Sequence, residues 1–210
     1  MNNYTDEIRE LAIGLGTATL YEASGIINCA LDPLIRPVWQ GAAVAGTAYP
    51  VACSPGDNLA IQIALERAPS GSVLTVTTNN FVAGYWGEVL TVAAESSSIK
   101  GLVIDGGVRD VAALRKRQFP AFSRGISVRG TTKASYRSVG QPIQITGTPA
   151  KQGDLIVADD DGVIILPQAL ALEIIVKGQV REQQEATMMK RLTDGESTLD
   201  LMGLAKWRKN

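Results

Sequence analysis

Histidine is absent from all 210 residues, and that absence removes whole mechanisms. No Ser-His-Asp triad, Cys-His pair, histidine-built zinc site or imidazole acid/base step can be assembled within this chain. Proton transfer is left to carboxylates, tyrosine, lysine, cysteine or a metal-activated water. Cysteine is scarce too. Cys29 and Cys53 stand in no metal-like spacing, which reads as a reduced thiol state in the cytoplasm. Neither sign of charge prevails: 20 Lys and Arg against 21 Asp and Glu leave a net −1. No nucleic-acid track or polyanion partner follows from that balance. No apolar run reaches membrane-spanning length, and Met1 to Asp6 lacks the basic start and apolar stretch of a signal peptide. Internal repeats and low-complexity segments are missing as well.

What is present suits one catalytic domain over residues 1–166 with a helical arm over 167–210. Residues 4–25 predict two short helices, with Thr17 as a possible N-cap for Ala18 to Ser24. Ala42 to Ala52 and Val73 to Thr77 predict strands flanking a helix over Asn58 to Arg67, whose N-cap would be Asp57. Alternating strands and helices up to Arg117 make this an α/β domain. From Pro120 the strands shorten: Gly125 to Val128, Ile143 to Ile145, Leu155 to Ala158 and Val163 to Leu166. Asp159-Asp160-Asp161 before Gly162 reads as a hairpin turn, since calcium-loop spacing is missing. Pro167 opens a long helical pattern with Gly195 as its stop.

The chain is organised around Gly84-Tyr-Trp-Gly-Glu-Val-Leu-Thr91 followed by Gly101-Leu-Val-Ile-Asp-Gly-Gly-Val-Arg-Asp110. The spacing predicts a glycine loop, a helix from Glu88, a buried strand from Gly101 to Asp105, and a second helix opened by Arg109-Asp110. Ten helical residues climb roughly 15 Å. Five strand residues return roughly 16 Å. Glu88 and Arg109-Asp110 should therefore meet beyond the carboxyl end of a strand, where open α/β sheets place ligands. Two carboxylates, a guanidinium and free helix N–H groups at one edge suit a metal and an anion together. Taken singly, Asp110 would be a helix cap and Arg109 a surface partner of Asp105.

Glu88, twenty residues, then Arg109-Asp110 resembles the acid-X20-Arg-Asp signature of one family. It contains the divalent-metal-dependent 4-hydroxy-4-methyl-2-oxoglutarate / 4-carboxy-4-hydroxy-2-oxoadipate aldolases and the regulator of ribonuclease activity A. The similarity extends to Pro55-Gly-Asp-Asn58, Phe122-Ser-Arg-Gly125 and Gly153 to Val163, most of the chain. One departure stands at the first acid, most often Asp in the family and Glu88 here. The resemblance implies a layered α/β/β swivelling-domain-like fold with a C-terminal helical arm.

It also implies a class II pyruvate aldolase that cleaves 4-hydroxy-2-oxo acids and decarboxylates oxaloacetate as a second activity. Asp110 would hold the metal, Mg²⁺ first, with Mn²⁺ or Co²⁺ as alternatives. N–H groups from Gly87 through Glu88 and Val89 to Leu90 would hold the substrate carboxylate. Arg109 would donate to the 2-oxo oxygen, and Glu88 would orient the water that takes the 4-hydroxyl proton. A Schiff-base route needs a lysine in an apolar pocket; the lysines here lie in polar or terminal stretches, Lys100 coming nearest, which speaks against that mechanism. In the aldolases the arm resembles one that lends an acid to a neighbouring subunit, Glu185 matching best and Glu182 next, in a homotrimer or homohexamer. The alternative is a binding protein resembling the ribonuclease regulator, which inhibits ribonuclease E and shares the signature.

Overall fold

The computed structural model describes residues 4–209. The chain opens with α1 (Asp6–Ser24), then β1 (Arg36–Pro37) and β2 (Val44–Cys53). An alternating stretch follows: α2 (Leu59–Arg67), β3 (Ser72–Thr77), β4 (Gly84–Trp86), α3 (Glu88–Ser96), β5 (Gly101–Val108), α4 (Val111–Arg117) and β6 (Ala121–Ile126). Then come β7 (Tyr136–Val139), β8 (Ile143–Ile145), β9 (Thr148–Ala150), β10 (Leu155–Asp159) and β11 (Gly162–Leu166). Two α-helices follow, α5 (Ala171–Thr193) and α6 (Thr198–Leu201), and then a short 3₁₀ helix over Ala205–Lys209.

Nine strands share one sheet in the order β1-β6-β5-β3-β2-β10-β11, with β4 also beside β5 and β7 beside β2. Pairs β2–β3, β3–β5 and β5–β6 are parallel. The order steps one way from β2 to β6, so right-handed crossovers place α2, α3 and α4 on a single face. Strand alternation explains the layers. Tyr49, Val51 and Cys53 of β2 join the cluster under those helices, while Val44, Ala48 and Ala52 face the other way. That second face is covered by the β8–β9 hairpin through Ile143, Ile145 and Ala150. The layering is thus α/β/β. β2, β3 and β5 are buried on both faces along their whole length, so that Thr47, Thr75 and Asp105 are buried with their apolar neighbours.

A third cluster packs α1 and the first half of α5 against β10 and β11, through Leu15, Leu20, Ile174 and Ile175. Gly178 of α5 lets the helices approach, for a Cβ there would come within 3.0 Å of Leu20 and 3.1 Å of Leu15. Beyond Gly178, α5 has no buried residue. No helix among the described residues is long and apolar enough to cross a membrane.

Several local expectations change. α1 is interrupted at Gly16 (φ 76°, ψ 161°), so two helical segments exist, but Thr17 does not supply the cap. Its N–H and hydroxyl donate to the Asp159 carboxylate at 2.7 and 2.6 Å, so the acceptor comes from the β10–β11 turn. That turn is the expected hairpin, with Asp159 opposite Gly162. β6 starts four residues before the predicted Gly125 and ends at Ile126, because it must pair with both β1 and β5. The stretch that reads as a glycine loop contains β4. Tyr85 and Trp86 are fully buried there, and two large aromatics under a helix hold three residues in a strand that the flanking glycines conceal.

Candidate functional site

Trp86 sets the edge on which the site is built. Its ring stacks on Phe119 with centroids 5.7 Å apart, and its indole N–H donates to Thr91 Oγ1 of α3 at 2.8 Å. One side chain thereby joins β4, the first turn of α3 and the end of α4. Emptying such a site costs about 3–5 kcal/mol. On the backbone, Arg109 N–H donates to the Trp86 carbonyl at 2.8 Å, which carries the β4–β5 pairing one residue past the strand.

Asp110 follows in the left-handed region (φ 57°, ψ 36°) as the N-cap of α4, yet its side chain makes no capping bond to that helix. Its Oδ2 instead accepts from the Glu88 N–H at 3.0 Å, with Arg109 Nε 3.9 Å away. Helix up and strand back therefore meet where the length arithmetic puts them. Gly87 is required between them: a Cβ there would overlap Asp110 Oδ2. The Val89 and Leu90 N–H groups lie in the first turn of α3, before the first intrahelical bond, from Thr91 N to the Gly87 carbonyl at 3.1 Å.

A cavity of about 240 Å³ opens beside this edge. Gly87, Val89, Leu90, Arg109 and Asp110 line it, and so do Asn58, Gln62, Thr131 and Lys133. This volume lies below the ~300–1,000 Å³ of drug-sized sites and suits a small organic acid with water. The second set of residues is held by Asp57, which is buried between α2 and the segment after β6. Asp57 Oδ1 accepts from Leu59 N–H, the first of α2, at 2.9 Å. The N-cap position itself is taken by Asn58, which makes no side-chain capping bond, so the expected cap stands one residue before its place. Its Oδ2 accepts from Thr132 Oγ1, Ala134 N and Ser135 N at 2.8, 2.6 and 3.0 Å. Burial pushes this carboxyl up, but the hydrogen bonds from Leu59, Ala134, Thr132 and Ser135 outweigh it and hold the group at about 2.

Not every predicted residue converges. The Glu88 carboxylate turns away and accepts from Arg117 Nε at 3.1 Å, while the same guanidinium reaches Glu95 at 3.0 Å. Only the backbone of Glu88 touches Asp110. Arg109 has no Asp105 partner; Asp105 is buried and accepts from the Thr77 and Thr78 hydroxyls at 2.7 and 2.9 Å. Glu185 pairs with Arg181 of its own helix at 2.8 Å, and Glu182 is exposed. Neither lines the cavity. Lys100 is exposed at the start of β5, beside a different cavity near Asp6, so the lysine at this site is Lys133 instead. Nothing in the local pattern marked Lys133: Gly130-Thr-Thr-Lys133 is a polar, aperiodic loop. Cys53 is no acid/base candidate, since burial pushes its thiol up to about 12.

The donor set bears on any metal. Among the described residues no group of three His, Cys, Asp or Glu could cage an ion. Asp110 Oδ1, in contrast, has no partner among the described residues, and the side chain is half-exposed. A single free carboxylate oxygen in an open cavity fits a hard ion such as Mg²⁺, which keeps most of its waters. It does not fit a tetrahedral zinc cage.

Residues 17–165 match the family model RraA-like: Aldolase/RraA. A Halalkalibacterium halodurans protein, provisionally named a 4-hydroxy-4-methyl-2-oxoglutarate aldolase, is 30% identical over 171 residues, 81% of this chain and 80% of that one. Among solved structures, an uncharacterised Pseudomonas syringae pv. tomato protein shares 30% identity at a TM-score of 0.84, with 92% of each chain covered. Streptomyces coelicolor RraAS2, described as an unusual member of the RNase ES inhibitor RraA protein family, shares 26% at 0.79, covering 89% of this chain and 98% of that one.

Proposed function

This chain belongs to the Aldolase/RraA family, and on that footing we propose that it is a cytoplasmic carbon–carbon lyase. Its reaction would be that of a divalent-metal-dependent pyruvate aldolase on 4-hydroxy-2-oxo acids of the 4-hydroxy-4-methyl-2-oxoglutarate type, with oxaloacetate decarboxylation alongside. The observation that carries this reading is the meeting of Asp110, Arg109 and the first turn of α3 at one cavity. The name given to the Halalkalibacterium halodurans relative supports it.

Asp110 would hold the ion, Mg²⁺ first and Mn²⁺ or Co²⁺ as substitutes, through its free Oδ1. Bound there, a divalent ion supplies positive charge against the electrons that arrive when the bond breaks. Asp110 Oδ2 stays with the Glu88 N–H, which fixes the carboxylate's orientation. The Val89 and Leu90 N–H groups bind the substrate's C1 carboxylate at the positive end of α3. Arg109 donates to the 2-oxo oxygen, where negative charge grows as the C3–C4 pair moves towards C3 and the product becomes pyruvate enolate. The 4-hydroxyl loses its proton as C4 becomes a carbonyl. Glu88 can orient the water that takes this proton only after leaving Arg117. Oxaloacetate loses CO₂ to the same enolate and needs no base.

Assembly enters through the arm. Val176, Val180 and Met189 of α5 are exposed, more apolar surface than a solvated helix needs. A homotrimer or homohexamer would cover it and bring Glu185, or Glu182, to a neighbour's cavity.

Coupled pyruvate release across several 2-oxo acids tests the reading. Release should need Mg²⁺, stop in excess chelator and vanish in Asp110→Ala while the fold is retained. Full turnover in chelator, or in that variant, rejects the metal assignment. The likeness to RraAS2 favours one second reading, a protein inhibitor of ribonuclease E. A chain that inhibits the ribonuclease and releases no pyruvate from any substrate would establish it instead.

A further inference from the structure

The chemistry above leaves one buried hydroxyl beside the site without a task. Thr91 closes the first turn of α3, is fully buried and does not line the cavity. Its Oγ1 accepts from the Trp86 indole N–H at 2.8 Å and donates to the Gly87 carbonyl at 3.1 Å. A threonine bonded back to the carbonyl four residues earlier is common in helices and by itself says nothing about function. Here the direction of the bond is forced. An indole N–H can only donate, so the hydroxyl must accept there and has a single proton left to give. The Gly87 carbonyl takes it, beside the Thr91 N–H that reaches the same oxygen at 3.1 Å.

The other end of that peptide unit is the Glu88 N–H. The unit is planar and trans, so its carbonyl and N–H point opposite ways and cannot turn independently. The Glu88 N–H donates to Asp110 Oδ2 at 3.0 Å, the one hydrogen bond of that side chain among the described residues. Thr91 therefore grips one end of a rigid plate whose other end holds the carboxylate. Polarisation acts in the same sense, since a carbonyl that accepts two bonds makes its own N–H a stronger donor. Asp110 depends on this hold, because it sits in the left-handed region and makes no side-chain bond to α4.

We propose that Thr91 is a positioning residue for Asp110: its hydroxyl, directed by Trp86, sets the Gly87–Glu88 peptide plane and through it the angle at which the carboxylate meets an ion. This rests on the reading of Asp110 as the metal ligand and deepens it. Thr91 touches neither ion nor substrate. With Oδ2 tied to the plate, the free Oδ1 is presented at one angle instead of being spread over several, which lowers the cost of ordering it when an ion binds.

Two measurements that need no turnover test this. Hydrogen exchange of the Glu88 amide is followed by NMR in the ion-free protein, and Mn²⁺ affinity by electron paramagnetic resonance titration. Thr91→Val keeps the branched shape and removes the hydroxyl, whereas Thr91→Ser keeps the hydroxyl and removes the methyl. Val73→Ala, in the cluster on the opposite face of the sheet, is the control for lost stability alone. Thr91→Val should speed Glu88 exchange and raise the Mn²⁺ Kd, each roughly three- to tenfold, the loss of one neutral hydrogen bond. Thr91→Ser and Val73→Ala should stay within about twofold of wild type on both. Wild-type exchange at Glu88 in Thr91→Val overturns the proposal, and so does faster exchange with an unchanged Mn²⁺ Kd. A Thr91→Ser or Val73→Ala protein as impaired as Thr91→Val overturns it too, because packing or stability would then be the cause. If wild type binds no Mn²⁺ while Glu88 exchange rises in Thr91→Val alone, the hold on Asp110 stands and only the metal assignment is rejected.

Discussion

Replacing Asp57 by Asn removes one charge and nothing else of the shape. In the folded chain this carboxyl sits at about 2 against an ordinary 3.8. That difference is worth about 2 kcal/mol of folding stability at pH 7. The amide adds a second cost: if its oxygen keeps Leu59 N–H, its NH₂ faces the Ala134 and Ser135 N–H groups, both donors. Those residues are exposed and water can reach them, so the added cost sits near the low end of ~1–3 kcal/mol. A total near 3 kcal/mol is expected. The sign of the pH dependence follows from the depressed folded value. The charge contributes fully above the unfolded value, and its contribution is lost as pH falls through the folded one. Urea unfolding of both proteins should therefore give a constant difference from pH 7 to pH 5, shrinking by about 1 kcal/mol by pH 3. KM should rise as well, because the segment that presents Thr131 and Lys133 loosens. A difference that is flat down to pH 3, or below about 0.5 kcal/mol at pH 7, would refute the clamp.

Arg109→Lys keeps the charge and loses the planar fork, so kcat should fall by roughly 10²-fold or more while KM moves little; a change confined to KM in steady-state kinetics would make Arg109 a binding residue. Gly87→Ala forces a methyl onto Asp110 Oδ2 and should abolish pyruvate release with near-native circular dichroism; wild-type kcat would show that Asp110 can act from another position. Mixing inactive Asp110→Ala and Glu185→Ala chains should restore partial activity in hybrid oligomers. With subunit exchange verified, a silent mixture would mean that Glu185 is the wrong acid or that one chain suffices.

Two kinds of information separate what was legible in the sequence from what was not. The α2–β3 and α3–β5 repeats were readable because local periodicity and fixed rises per residue determine them, and those rises alone brought Glu88 and Asp110 together. Side-chain destinations depend on packing angles that no rise encodes. The Glu88 carboxylate goes to Arg117, a residue 29 positions away, because α3 and α4 lie side by side. Asp57 reads as the N-cap of α2, but Asn58 takes that position in the fold, and only one Asp57 oxygen bonds the helix start. The other organises a loop some 75 residues on, and so Lys133 stayed hidden. Thr17 shows the same limit from the opposite side, since its acceptor sits 142 residues later.

The backbone at Asp110 has a consequence for how this chain evolves. A non-glycine residue at φ 57° is strained by roughly 1–2 kcal/mol, less for Asp than for most. Here the side chain does not recover that strain by capping α4, because it is turned back to Glu88. Glycine at this position would relax the backbone and still leave the helix its start. It would also give up the bond that the Glu88 N–H, at the start of α3, donates to Asp110 Oδ2, which is worth about as much as the strain. Selection for thermal stability alone would therefore neither hold the aspartate nor remove it.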